Sequence, residues 1–221
     1  MDGTTLHDDR LLLSPPTGAD VDAITEACQD PDIAEWVTVP SPYTRADAEG
    51  FLTHLVEPGW ESGRELTWAI REGDGPADRL LGMVGLHGVG DGSAELGYWG
   101  APWSRRGGVV QQAVGLVLDH AFAPAGLDLE RVLWTAFVGN WPSRRVAWRA
   151  GFRVEGTIRL HGVQRGRRRD SWVGTILRGD ERRPAEPWPT EGADADGAVR
   201  AAAAPGSVGG PARVVAAVTT R

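Results

Sequence analysis

AELGYWGAPWSRRGGVVQQAV, residues 94–114, is the stretch that decides the fold. Ala94 to Trp99 reads as a strand. From Gly108 to about Ala123 the apolar residues Val110, Ala113, Val114, Val117 and Ala121 recur on one helical face. Arg131 to Val138 then reads as a buried strand. Strand, helix and strand over residues 94–138 make a crossover whose two strands must be parallel. The loop between, Arg105-Arg106-Gly107-Gly108, opens the helix. Backbone N–H groups at a helix start lack intrahelical partners, and the helix dipole adds partial positive charge there. Glycine lets the backbone come close to a ligand. The loop therefore suits a pyrophosphate as an anion site, with a plain tight turn before a helix as the alternative reading.

Working outward, Arg10 to Leu13 reads as a first strand. Thr17 with Asp20, and Thr44 with Asp47, are helix starts with an acidic residue three positions on. Val21, Ile24, Ala27 and Cys28 follow the first start; Ala48, Phe51, Leu52 and Leu55 follow the second. Asp30-Pro31 and Pro58-Gly59 are expected to end these helices. Leu66 to Arg71 reads as a strand, Gly73 to Ala77 as a turn, and Arg79 to Val89 as a strand joined to Ala94–Trp99 through Gly90-Asp91-Gly92. Pro142 to about Ala150 is a helix with proline in its first turn. Phe152 to Leu160 and Ser171 to Leu177 close the fold as strands. The order β-α-α-β-β-β-α-β-α-β-β predicts an α/β fold (α+β, mixed sheet) of about seven strands flanked by about four helices. Residues 1–182 form this domain. Residues 183–221, rich in Ala, Gly and Pro, are expected to be a flexible tail, because they bury too little to offset ordering entropy.

Composition bounds the function. The net charge of −7 over 221 residues argues against a nucleic-acid partner, with Arg165 to Arg169 a local exception best read as a solvated turn. No apolar run approaches the length of a membrane span, and the first ten residues lack the pattern of a signal peptide. A cytoplasmic setting is the default expectation. Cys28 is the only cysteine and reads as a packed core thiol; the five histidines show no metal-ligand spacing, so no metal is expected.

Residues 94–114 resemble the signature of the GNAT superfamily of N-acetyltransferases. There a strand ending in Tyr-Trp and a Pro leads into Q/R-x-x-G-x-G/A. Arg105 and Gly108 match, and Val110 departs from the final small residue. Asn140 to Phe152 resembles the family's N-x-x-S/A block with its closing Gly-Phe, and Arg153 to Leu177 resembles the ending of the Rim-type branch, which acetylates ribosomal-protein N-termini. The resemblance covers about residues 8–180. It implies acetyl-CoA as co-substrate, no metal, an amine acceptor and, by family habit, a possible homodimer. The N–H groups of Arg106, Gly107, Gly108, Val109 and Val110 would cradle the pyrophosphate beside Arg105. Asn140, a residue type that also suits a helix cap, and the strand edge at Gly97 and Tyr98 would hold pantetheine. Ser143 would lie near the sulfur. Ala147 stands where many relatives carry an acidic Tyr, so Ser143 or water must serve instead.

The chemistry requires a neutral amine, a stabilised oxyanion and a leaving thiolate. At pH 7 roughly a tenth of an α-amine is already neutral, far more than of a lysine. Glu95, on the strand leading to the loop, is the candidate base. A backbone N–H near Gly97 or Tyr98, where the family strand bulges, would face the oxyanion. Trp36, Tyr43 and His54, with Trp60 and His161, are the candidate acceptor contacts, and a protein N-terminus or a small-molecule amine would both suit. The rival reading is a CoA-binding regulatory module without turnover, which Val110 and Ala147 favour and Glu95 and Ser143 oppose. A dinucleotide site at Gly85-x-x-Gly88-x-Gly90 is set aside, because that run lies in a hairpin with no helix after it.

Overall fold

The structure, a computed structural model, describes residues 3–73 and 79–189. The turn expected at Gly73 to Ala77 lies almost wholly outside them. The described strands are β1 (Leu6–His7), β2 (Leu11–Ser14), β3 (Glu65–Glu72), β4 (Gly82–Gly90), β5 (Ser93–Gly100), β6 (Arg131–Phe137), β7 (Arg153–Gln164) and β8 (Arg167–Leu177). They form one sheet in the order β1-β2-β3-β4-β5-β6-β8-β7. Only β5 and β6 pair in parallel, as the crossover demanded. The helices are α1 (Val21–Cys28), α2 (Pro31–Trp36), α3 (Arg45–Phe51), α4 (Glu57–Ser62), α5 (Val109–Phe122) and α6 (Trp141–Ala150).

The alternation of side chains sets the layers. In β3–β6 the even-numbered residues include Leu66, Trp68, Leu86, Leu96 and Trp134, all buried. α5 covers this face: the Trp68 ring meets His120 of α5 edge-on, with centroids 6.1 Å apart. The odd-numbered residues line a cleft together with Ile24 and Cys28 of α1 and Phe51 of α3.

Both Thr–Asp helix starts form reciprocal capping boxes. The first also anchors an ion pair. The Asp20 carboxylate takes two hydrogen bonds from Nη2 of Arg71, at 2.6 and 2.7 Å, and the Arg71 side chain is fully buried.

One expected helix stop holds and the other needs correction. α1 ends at Cys28, just before Asp30-Pro31, and the same pair opens α2: the Asp30 side chain accepts from the N–H groups of Asp32 and Ile33, and proline, which needs no donor, fills the first position. Pro58-Gly59 does not stop the second helix. The chain runs through a π-turn, Leu52–Val56, into α4, which ends at left-handed Gly63. The last two strands are longer than expected, meeting at a two-residue turn, Arg165-Gly166, so that Arg167 to Arg169 are strand residues. Residues 183–189 rest on α6. The Glu186 carbonyl accepts from Trp148 Nε1 at 2.7 Å, and the Trp188 ring packs on Trp148 at 5.2 Å. The tail expected from 183 falls outside the described residues from 190 onward.

Candidate active site

The site begins where two strands part. β5 and β6 pair from Ser93↔Arg131 to Leu96↔Trp134 and no further. β6 stays bonded to β8 through Phe137, and β5 stays bonded to β4 through Gly100. The two strands therefore diverge, and among the described residues the β6-facing edge from Gly97 to Gly100 is left without a strand partner. Gly97 and Tyr98 stand on that edge, as expected. The bulge expected there is elsewhere. The β4–β5 register runs unbroken from Gly82↔Gly100 to His87↔Glu95 and shifts only between His87 and Gly90, at the hairpin end.

The glycine loop sits at the open end of β5. Arg106 and Gly108 are both left-handed, at φ 71° and 72°. Gly108 is the N-cap of α5, and the first backbone bond into the helix runs from Gln112 N–H to the Gly108 carbonyl. The N–H groups of Val109 and Val110 precede that ladder and are available to an anion. Side chains fix the loop. Arg105 pairs with Asp30 at 2.5 Å and Asp32 at 3.0 Å, while Arg10 Nη1 donates to the Gly107 carbonyl at 2.9 Å. Arg105 thus ties the loop to α2. Val110 does not crowd the loop. Its Cγ2 lies 3.0 Å from where a Cβ on Gly100 would stand, so the extra bulk is taken up against the strand.

On the α5 side of the opening, Tyr98 and Ser143 meet. The Tyr98 hydroxyl donates to the Ser143 carbonyl at 2.8 Å, Ser143 Oγ donates to the Tyr98 oxygen at 3.2 Å, and Trp134 Nε1 donates to Ser143 Oγ at 3.1 Å. Burial pushes the Tyr98 phenol up, so it is a protonated donor throughout the working pH range. The sequence assigned only the backbone of Tyr98; its phenol comes from β5 to stand beside Ser143, while Ala147 is buried in α6. Asn140 Oδ1 accepts from the Ser143 N–H at 3.2 Å, which makes Asn140 the N-cap of α6. Its amide NH₂ remains for a ligand.

On the other side, Glu95 faces the cleft. Thr135 Oγ1 donates to Glu95 Oε1 at 2.6 Å. Burial raises the Glu95 carboxyl above the ordinary carboxylate range, against lowering by Thr135 and His87. Trp36 and Tyr43 also line the cleft. Tyr43 is buried, and Trp36 packs 3.3 Å from where a Cβ on Gly139 would sit, at the turn into α6. His54 is not there. It is exposed on the π-turn, and its Nδ1 contacts the Gly50 carbonyl at 3.0 Å; its neighbours Phe51 and Leu55 face the cleft instead. Trp60 is core, its Nε1 donating to the Thr67 carbonyl. The sequence missed His87 and Glu65. His87 Nδ1 lies 2.8 Å from Glu65 Oε2, directly across the strand pair, and only the register of β3, β4 and β5 brings them beside Glu95.

Among the described residues no group of three or more His, Cys, Asp or Glu side chains could hold a metal ion, and no helix is long and apolar enough to cross a membrane. Residues 10–153 match the family model "Acetyltransferase (GNAT) domain". The uncharacterized N-acetyltransferase p20 of Bacillus licheniformis is 23% identical over 182 residues, 79% of this chain and 96% of that protein. RimL, a ribosomal-protein α-N-acetyltransferase solved with coenzyme A, superposes with TM-score 0.69 at 17% identity, covering 79% of this chain and 98% of RimL. MccE, a microcin self-immunity acetyltransferase solved with acetyl-CoA and AMP, gives TM-score 0.67 at 18% identity over 77% of this chain and 93% of that one. With the family model spanning well over half its length, the chain belongs to the GNAT acetyltransferase family.

Proposed function

We propose that the protein binds acetyl-CoA along the parted edge of β5 and transfers the acetyl group to an amine by direct attack in a ternary complex. The observation that carries this reading is the opening between β5 and β6. It joins a free N–H cradle at α5, a Ser143–Tyr98 hydroxyl pair on one face, and the Glu95 carboxyl on the other. The N–H groups of Arg106 to Val110 would hold the pyrophosphate. Gly97, Tyr98 and the Asn140 amide would hold the pantetheine as an added strand. Glu95 would take a proton from the attacking nitrogen, and Ser143, backed by Tyr98, would supply one to the departing sulfur. Holding both reactants in one opening supplies much of the rate.

The acceptor is either a protein N-terminal α-amine or a small-molecule amine. RimL acts on the first kind by its name, and MccE was solved with AMP. The apolar lining of Trp36, Tyr43, Phe51 and Met83 supports an acceptor with an apolar group beside its amine. A buried lone thiol suits a reducing cytoplasm. Calorimetry with acetyl-CoA, free CoA and dephospho-CoA, followed by a thiol-release screen over N-terminal peptides and small amines, tests the reading. Micromolar binding with release that depends on one acceptor class is the expected result. Binding without release for any acceptor would favour a regulatory module, and absence of binding would remove the proposal.

A further inference from the structure

Glu65, His87 and Glu95 stand in one cross-strand row on the cleft face. Glu65 pairs with His87 across β3–β4, and His87 with Glu95 across β4–β5. Direct neighbours in such a row have Cβ atoms about 5 Å apart, within reach of one another's side chains. The imidazole is held at one end only. Glu65 Oε2 binds Nδ1 at 2.8 Å, and Glu65 Oε1 is itself fixed by the Gly88 N–H at 3.0 Å.

The other nitrogen leans over two glycines. A Cβ on Gly85 would lie 3.2 Å from His87 Nε2, and one on Gly97 would lie 2.9 Å from it. Any side chain at either position would push the ring away. Nε2 therefore sits above the α-carbon of Gly97, the first residue of β5 past the point where the strands part, and no group among the described residues hydrogen-bonds it. Thr67, next to Gly85 across the strands, lines the same floor with a buried hydroxyl that has no hydrogen-bond partner among the described residues. That is a second polar contact open to whatever enters the cleft.

The stoichiometry of transfer leaves work for such a group. A primary ammonium carries three protons and the amide product one. As the C–N bond forms and the C–S bond breaks, the bonding electrons go to sulfur, and one of the two lost protons ends there. The other must reach solvent. We infer that His87, oriented by Glu65, is a second catalytic residue: its Nε2 takes the proton that turns the incoming ammonium into a free amine, and Glu65 leads it out. This rests on the acetyltransferase reading above. Accessibility supports the direction of travel. The His87 side chain is 9% exposed and Glu65 28%, so the row opens toward solvent at Glu65. The other titratable groups around this cleft do not compete. Burial pushes the Cys28 thiol up to about 12 and raises Tyr43, so both stay protonated, and Arg64 acts on Glu65 from outside the cleft.

The test uses the full-length protein with the acceptor class found by the thiol-release screen. His87→Ala should lower kcat/KM by about 10²-fold or more, with acetyl-CoA affinity within about twofold of wild type by calorimetry. Added imidazole should restore at least a tenth of the lost rate in His87→Ala and do nothing for Glu95→Gln. Glu65→Gln should give an intermediate loss in kcat. Retention of kcat/KM within threefold in His87→Ala would overturn the inference. So would a loss that imidazole does not relieve, or one that comes with weakened acetyl-CoA binding, since either marks a structural role. Failure of the wild-type protein to bind acetyl-CoA would refute the proposed function itself and this inference with it.

Discussion

Removing the Asp20 carboxylate tests whether the first helix start is tied to the sheet by a buried charge pair. The Arg71 side chain is 0% exposed and Asp20 5%. Among the described residues the guanidinium keeps only Ser14 Oγ at 2.8 Å and a long contact to the Ala69 carbonyl at 3.5 Å once Asp20 is gone, and its Nε already lacks a partner there. An unpaired buried charge of this kind costs about 3–5 kcal/mol. For a domain of this size each kcal/mol moves Tm by about 2–4 °C, so Asp20→Ala should lower Tm by roughly 6–20 °C. Asp20 also accepts from the Thr17 N–H at 2.7 Å, and that cap accounts for about 1 kcal/mol of the loss. The double variant Asp20→Ala with Arg71→Met replaces the pair by apolar volume and should recover all but the cap's share. Thermal and urea unfolding of the three proteins decide the matter. A loss below about 1 kcal/mol in Asp20→Ala, or no recovery in the double variant, would refute the reasoning, because either means that the charge reaches water.

Glu95→Gln should lose activity and gain stability. The loss in kcat/KM should be about 10²–10⁴-fold. Because burial raises the folded-state pKa of Glu95, its contribution to stability is full below the unfolded value and is lost as pH rises through the folded one. The variant should therefore exceed wild type in Tm at pH 8 and match it near pH 4; equal Tm at both pH values, or full activity near pH 7, would contradict the assignment. Cys28, buried and pushed up to about 12, should stay a protonated thiol at pH 8. It should react with a disulfide reagent only after unfolding, and stoichiometric labelling of the native protein within minutes would exclude the packed-thiol reading.

Local rules carried the sequence a long way. The Thr17–Asp20 and Thr44–Asp47 starts, the β-α-β crossover and the Asn140 cap were all legible, because each depends on residues within a few positions of one another. Pro58-Gly59, where the helix runs on, misleads for the same reason. Proline is both a stop and a first-turn residue, and only packing chooses between them. His54 lies in the segment expected to face the acceptor, but the π-turn leaves it on the exposed side.

What the sequence determined by itself was the order of elements, the parallel pair, and the glycine loop with its orphan N–H groups. These are short-range properties of the backbone and its periodicities. Where β5 and β6 part was decided only in three dimensions, since it depends on β6 staying with β8 while β5 stays with β4. The same holds for the Tyr98 phenol beside Ser143, 45 residues away in the chain, and for the Glu65–His87–Glu95 row. A lone histidine carries no local signal of its partners. Its chemistry was set when strand register placed a carboxylate on one side of the ring and two glycines beneath the other.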